Sequence, residues 1–172
     1  MLFIRIERNK KSYQYKRNPK AKDDWNNNDN NNGLDDFELF DYESRLLSVK
    51  CQTVSNIPNG NYLDTIAPGP FLLKCFVEPR NFHCRIHGIS ETSDLQFEWI
   101  NDESIQDSNN LRWLLHDDQK QKPNPPNQLT RVLWSAGCII LHKNDLESFN
   151  TILDAYGMKT GDTIDAELVD KE

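Results

Sequence analysis

A mainly β fold of the α+β class, with one firm helix near the C-terminal end, is what this sequence predicts. Three observations predict it. Apolar and polar residues alternate in several short segments, turn residues separate those segments, and a single stretch keeps a helical period. The first element is Phe3 to Arg8, which alternates as an opening strand, with Ser12 to Lys16 as a candidate hairpin partner. Phe37 to Tyr42 is open between types, and Leu46 to Val54 reads as a strand. Pro58-Asn59-Gly60 and Pro68-Gly69-Pro70 mark turns. Phe71 to Val77 and Phe82 to His87 are strands, the second ending at Gly88. A short amphipathic helix is predicted through Leu111, Trp113, Leu114 and Leu115, ahead of the proline-rich piece Pro123, Pro125, Pro126. Arg131 to Trp134 then leads into Ser135-Ala136-Gly137-Cys138-Ile139-Ile140-Leu141. Asn144 or Asp145 can then cap a helix from Leu146 to Tyr156, with Gly157 as its stop. Thr163 to Val169 closes the chain as a strand whose Ile164, Ala166 and Leu168 share one face.

The 172 residues fit a single domain, 1–172, with enough length to bury a core. The stretch 23–36 is rich in asparagine and holds almost nothing that packs, so it reads as a disordered loop. The formal charge of −7 is spread along the chain and argues against nucleic-acid binding, which needs concentrated Lys and Arg. The basic cluster from Arg8 to Lys22 reads as a solvated face. The opening Met-Leu-Phe-Ile-Arg is too short for a signal h-region, and no segment approaches a membrane span. Synthesis in the cytoplasm without a signal peptide is therefore expected. Any work in the periplasm or cell wall would need another delivery route.

The four cysteines are too few for a disulfide scaffold in a chain this long. Cys51, Cys75 and Cys84 stand in apolar, strand-like surroundings and read as buried thiols. Cys138 differs, because it follows Ser135-Ala136-Gly137. A glycine there permits a sharp turn and leaves neighbouring N–H groups uncovered, free to act as an oxyanion hole. A nucleophilic cysteine also needs a base, and the chain offers His83, His87, His116 and His142. A small-Gly-Cys turn is also common as plain structure, so both readings stand at this level.

Arg85-Ile86-His87-Gly88, followed by Ser135-Ala136-Gly137-Cys138-Ile139-Ile140-Leu141 and a helix beginning near Asn144, resembles the L,D-transpeptidase (YkuD-like) signature. Ile57-Pro58-Asn59-Gly60-Asn61-Tyr62 is similar to an element at the start of such domains, and Lys159 to Ile164 to the strand that closes them. The resemblance covers roughly 46–170. It departs at Ala136, where histidine is frequent, and in the long separation between His87 and Cys138. It implies a β-sandwich or barrel with a helix after the cysteine strand and a long insertion, 89–128, before it. It implies that Cys138 attacks a carbonyl of a peptidoglycan stem peptide and forms a thioester, with His87 as base. Gly137 and Cys138 would supply oxyanion donors, and Ser135 would orient the turn or His87. Gly88, Trp134 and Ala136 would line the substrate site, with His83 and Arg85 behind His87. The alternative is a non-catalytic binding or assembly module on the same fold.

No metal or other cofactor is expected. His83 with His87, and Cys138 with His142, are zinc-type ligands, but their spacing along strands sets them too far apart to share an ion. The insertion carries Phe97, Trp99, Trp113, Leu114 and Leu115, too many large apolar groups for a solvated linker. It is predicted to fold over the cleft between His87 and Cys138 as a lid, with its acidic residues favouring an amine-bearing acceptor. Oligomeric state is not legible.

Overall fold

The computed structural model describes residues 1–9, 34–53, 66–77, 84–90, 113–117 and 138–171. They form β1 (Leu2–Arg8), β2 (Asp35–Asp41), β3 (Ser44–Gln52), β4 (Gly69–Val77), β5 (Ile86–Ser90), β6 (Trp113–Asp117), β7 (Ile139–Leu141), α1 (Lys143–Ala155) and β8 (Thr163–Asp170). The strands close into a barrel in the order β1-β2-β3-β7-β6-β5-β4-β8. The pairs β1–β8 and β6–β7 are parallel, and the other neighbours are antiparallel. Closure leaves the sheet without the two edge strands that an open sheet exposes.

Strict alternation builds the core. In β1 the buried residues Leu2, Ile4, Ile6 and Arg8 point inward, and in β8 Ile164, Ala166 and Leu168 do the same. Phe37, Leu39, Leu73, Ile89, Leu115, Ile139 and Leu141 join the apolar ones among them in one cluster, to which the helix adds Leu146, Phe149 and Leu153. Each fully buried side chain of this size contributes about 1.5–3 kcal/mol. Outside, β1 and its neighbours carry ion pairs such as Arg5–Glu167 and Arg45–Glu38, which are solvent-exposed and add little.

Strand directions give the barrel two ends. The upper end gathers Arg8, Asp35, Gln52, Gly69, Ser90, Trp113, Ile139 and Asp170. Segments 10–33, 54–65 and 91–112 therefore all attach there. The lower end is where β7 ends and α1 begins. Phe149 of α1 sits 5.4 Å, edge-on, from Phe37 of β2 and 5.2 Å, edge-on, from His87 of β5. Those strands stand on opposite sides of the ring, so a single helical side chain reaches both walls.

Several elements differ from expectation. β2 takes Asp35 and Asp36 from the end of the asparagine-rich stretch and pairs with β1, and the candidate hairpin partner Ser12 to Lys16 lies outside the described residues. β5 does not stop at Gly88 but runs to Ser90, which places His87 inside the strand. Trp113–Asp117 is a wall strand instead of a helix, because both of its neighbours, β5 and β7, offer it a ladder. So 89–128 is not wholly an insertion: its middle builds the barrel, and its remaining residues beyond Ser90 lie outside the described ones. The helix is capped by His142, whose side chain accepts from Asn144 N, and not by Asn144 or Asp145. The strand ends at Leu141, so the chain must turn at the very next residue. Gly157 ends the helix at φ +72°, as expected.

Candidate functional site

His87 is fully buried and faces inward in one row with Leu115 and Ile139, its partners across β6 and β7. Both ring nitrogens are engaged. Nδ1 accepts from the backbone N–H of Phe76 at 3.1 Å, and Nε2 lies 2.7 Å from Asn150 Oδ1. Since Nδ1 must be an acceptor, the proton sits on Nε2 and is donated to Asn150. The Asn150 amide then donates to Arg85 O at 2.9 Å. The imidazole packs 5.0 Å from the Phe76 ring and 5.2 Å from Phe149. Burial pushes its pKa down to about 4, the Asn150 hydrogen bond opposing that and Arg85 adding to it.

This arrangement serves the backbone. The β4–β5 register slips between Lys74 and Val77, and Phe76 stands there at φ +51°, a left-handed conformation costly for a bulky residue. His87 takes up the amide that the slip would otherwise leave unpaired. The Arg85 guanidinium lies 3.4 Å over the centroid of the Phe76 ring and pairs with Asp154 of α1 at 3.0 Å. Arg85 is exposed.

Cys138 stands at the upper end, directly before β7, and is half-buried. Its Sγ accepts from the backbone N–H of Leu114 at 3.4 Å. The other three thiols are buried. Burial pushes Cys51 well above the usual range, Cys75 up to about 11 and Cys84 up to about 12. Cys84 donates weakly to Lys143 O at 3.6 Å, while its backbone N–H bonds Asp117.

The sequence pairs His87 and Cys138 as base and nucleophile, and the structure gives each a backbone amide as a partner. The lone pair a base would use is bonded to Phe76, and the sulfur takes the Leu114 amide. Gly88 follows His87 in β5 and pairs with Leu114 of β6, the residue whose amide bonds the sulfur. Ser135, Gly137, Trp134, Ala136 and His83 lie outside the described residues. Among the described residues no group of three or more His, Cys, Asp or Glu is placed to hold a metal ion. Nor is any helix there long and apolar enough to cross a membrane.

The chain is 36% identical over 171 residues to an uncharacterized protein of Treponema pallidum (strain Nichols), an alignment covering 92% of this chain and 75% of that protein. It belongs to that protein's family. No family model matches the chain, and no solved structure does.

Sequence reasoning missed two groups in this family member that the structure makes prominent. Asn150 is the partner of His87, and its one legible signal is a polar residue on the apolar face of a helix, beside Phe149 and Leu153. Arg8 and Asp35 are both fully buried at the upper end. Arg8 was legible only as the inward-facing charge that closes the alternating run of β1.

Proposed function

We propose that the protein carries out cysteine-dependent acyl transfer or L,D-carboxypeptidase chemistry on peptidoglycan stem peptides through a thioester at Cys138, on an L,D-transpeptidase-like barrel. The observation that carries this reading is the contrast among the thiols. Cys138 alone of the four is not buried, and an oriented backbone N–H meets its sulfur. A peptide amide presents partial positive charge to sulfur and favours the thiolate that does the attacking. The turn that leads into Cys138, Ser135-Ala136-Gly137, adds the motif resemblance.

The thiol proton is the weak point. His87 can accept it only by giving up the Phe76 amide, whose loss would orphan a strained backbone donor. That locked ring favours a second reading: a binding or assembly module in which the barrel is retained and turnover is not.

Release of terminal D-alanine from tetrapeptide stems separates the two. The enzyme reading expects release by the wild type and none by Cys138→Ser, with a mass shift of the acyl adduct on Cys138. Stem peptides bound by wild type and Cys138→Ser alike, without release, would reject the enzyme and favour the module.

A further inference from the structure

The upper end of the barrel holds a pair of buried charges that the chemistry above does not use. Arg8 closes β1, Asp35 opens β2, and both are fully buried. They converge on one residue, Thr53, at the end of β3. Arg8 Nε donates to Thr53 Oγ1 at 2.8 Å, and Arg8 Nη2 donates to Thr53 O at 3.3 Å. Asp35 Oδ2 accepts from Thr53 Oγ1 at 2.6 Å and from Thr53 N at 3.2 Å. Every polar atom of Thr53 is thus held by a buried ionic group. The same two charges also hold Ile66 O, 2.5 Å from Arg8 Nη2, and Asn9 N, 2.7 Å from Asp35 Oδ1.

Burying two charges costs much in desolvation, and apolar residues of like volume usually stabilise a core as well or better. What the ions supply is direction: a fork of donors and a carboxylate fix one small residue by four hydrogen bonds, two to its hydroxyl and two to its backbone. The location matters. Cys51 pairs with Leu141 and Gln52 with Ile140. Carried one residue further, this antiparallel ladder sets Thr53 level with Ile139, the residue after Cys138.

We propose that Thr53, held by Arg8 and Asp35, is a positioning residue that fixes the start of β7 and with it the Cys138 thiol against the Leu114 amide. Arg8 and Asp35 act through Thr53. The proposal rests on the reading of Cys138 as the reactive thiol, and its test is chosen so the two can fail separately.

Removing Arg8 or Asp35 would strand the other charge and risk unfolding, so the informative change is at Thr53. Thr53→Val keeps the shape and removes the hydroxyl, and Thr53→Ser keeps the hydroxyl. The rate of Cys138 alkylation by iodoacetamide is followed against pH on the full chain, by peptide mass, with Tm recorded for each variant. Ile164→Val, at the lower end, supplies the control for lost stability alone. Thr53→Val is expected to raise the alkylation midpoint by about half a unit or more as the sulfur loses its amide. Thr53→Ser and Ile164→Val should keep the wild-type midpoint. A midpoint unmoved in Thr53→Val, or moved as much in Ile164→Val, overturns the positioning role. A wild-type midpoint at the ordinary thiol value that Thr53→Val still shifts overturns the nucleophile and leaves the positioning role standing.

Discussion

His87 is the residue on which the two descriptions of this protein diverge. A histidine ahead of a glycine looks like a base from its neighbours in sequence, yet its ring is the hydrogen-bond partner of a strained amide. His87→Ala should therefore act first on stability. It leaves Phe76 N and Asn150 Oδ1 without their partner and opens a cavity beside Phe149, a loss of about 3 kcal/mol or more in urea unfolding. If His87 is scaffold, the alkylation rate of Cys138 in the remaining folded protein stays at the wild-type value; a rate that collapses would restore His87 as base. The pH dependence has a definite sign. The folded pKa, about 4, lies below the usual 6.5, so above 6.5 both states are neutral and His87 contributes no slope. As pH falls from 6.5 toward 4 the unfolded chain takes up a proton that the folded one refuses, and stability declines by up to about 3 kcal/mol. Below the folded pKa the loss levels off. Urea midpoints of wild type and His87→Gln across that window test it, and the variant should show the smaller slope.

Elements followed the sequence where local rules were strong. β1, β4, β8 and the helix were legible because alternation or helical period persisted over seven residues or more. β6 and β7 are short, at five and three residues, and are strands only because a neighbour on each side completes their ladders. At the helix terminus, Gly157 sits at φ +72° with open space where a Cβ would stand. Gly157→Ala should cost about 1 kcal/mol through backbone strain alone, seen as a lower Tm with unchanged spectra. Phe149→Ala is a different case, since that ring bridges Phe37 and His87 on opposite walls. A loss of about 3–5 kcal/mol is expected in chemical unfolding. A loss below 1 kcal/mol would show that the helix does not hold the lower end.

At the scale of the molecule, the barrel sorts its thiols. Cys51, Cys75 and Cys84 belong to the interior and Cys138 to the upper end. Thiol titration of the native protein should give one fast group, Cys138, and release the other three only on unfolding. Fast labelling of Cys84 in the native state would contradict its burial beneath the helix start. By itself the sequence determined a mainly β class, the closing helix and strand, the buried status of three cysteines and the distinct one of Cys138. Those follow from periodicity and composition, which act over a few residues. Only the tertiary structure decided that the strands close into a ring, that β6 is a wall strand, and that His87 spends its lone pair on Phe76. It also decided that Arg8 and Asp35 meet at Thr53. Each of these is a pairing between groups on different elements, and the energy of such a pairing depends on which surfaces folding brings together.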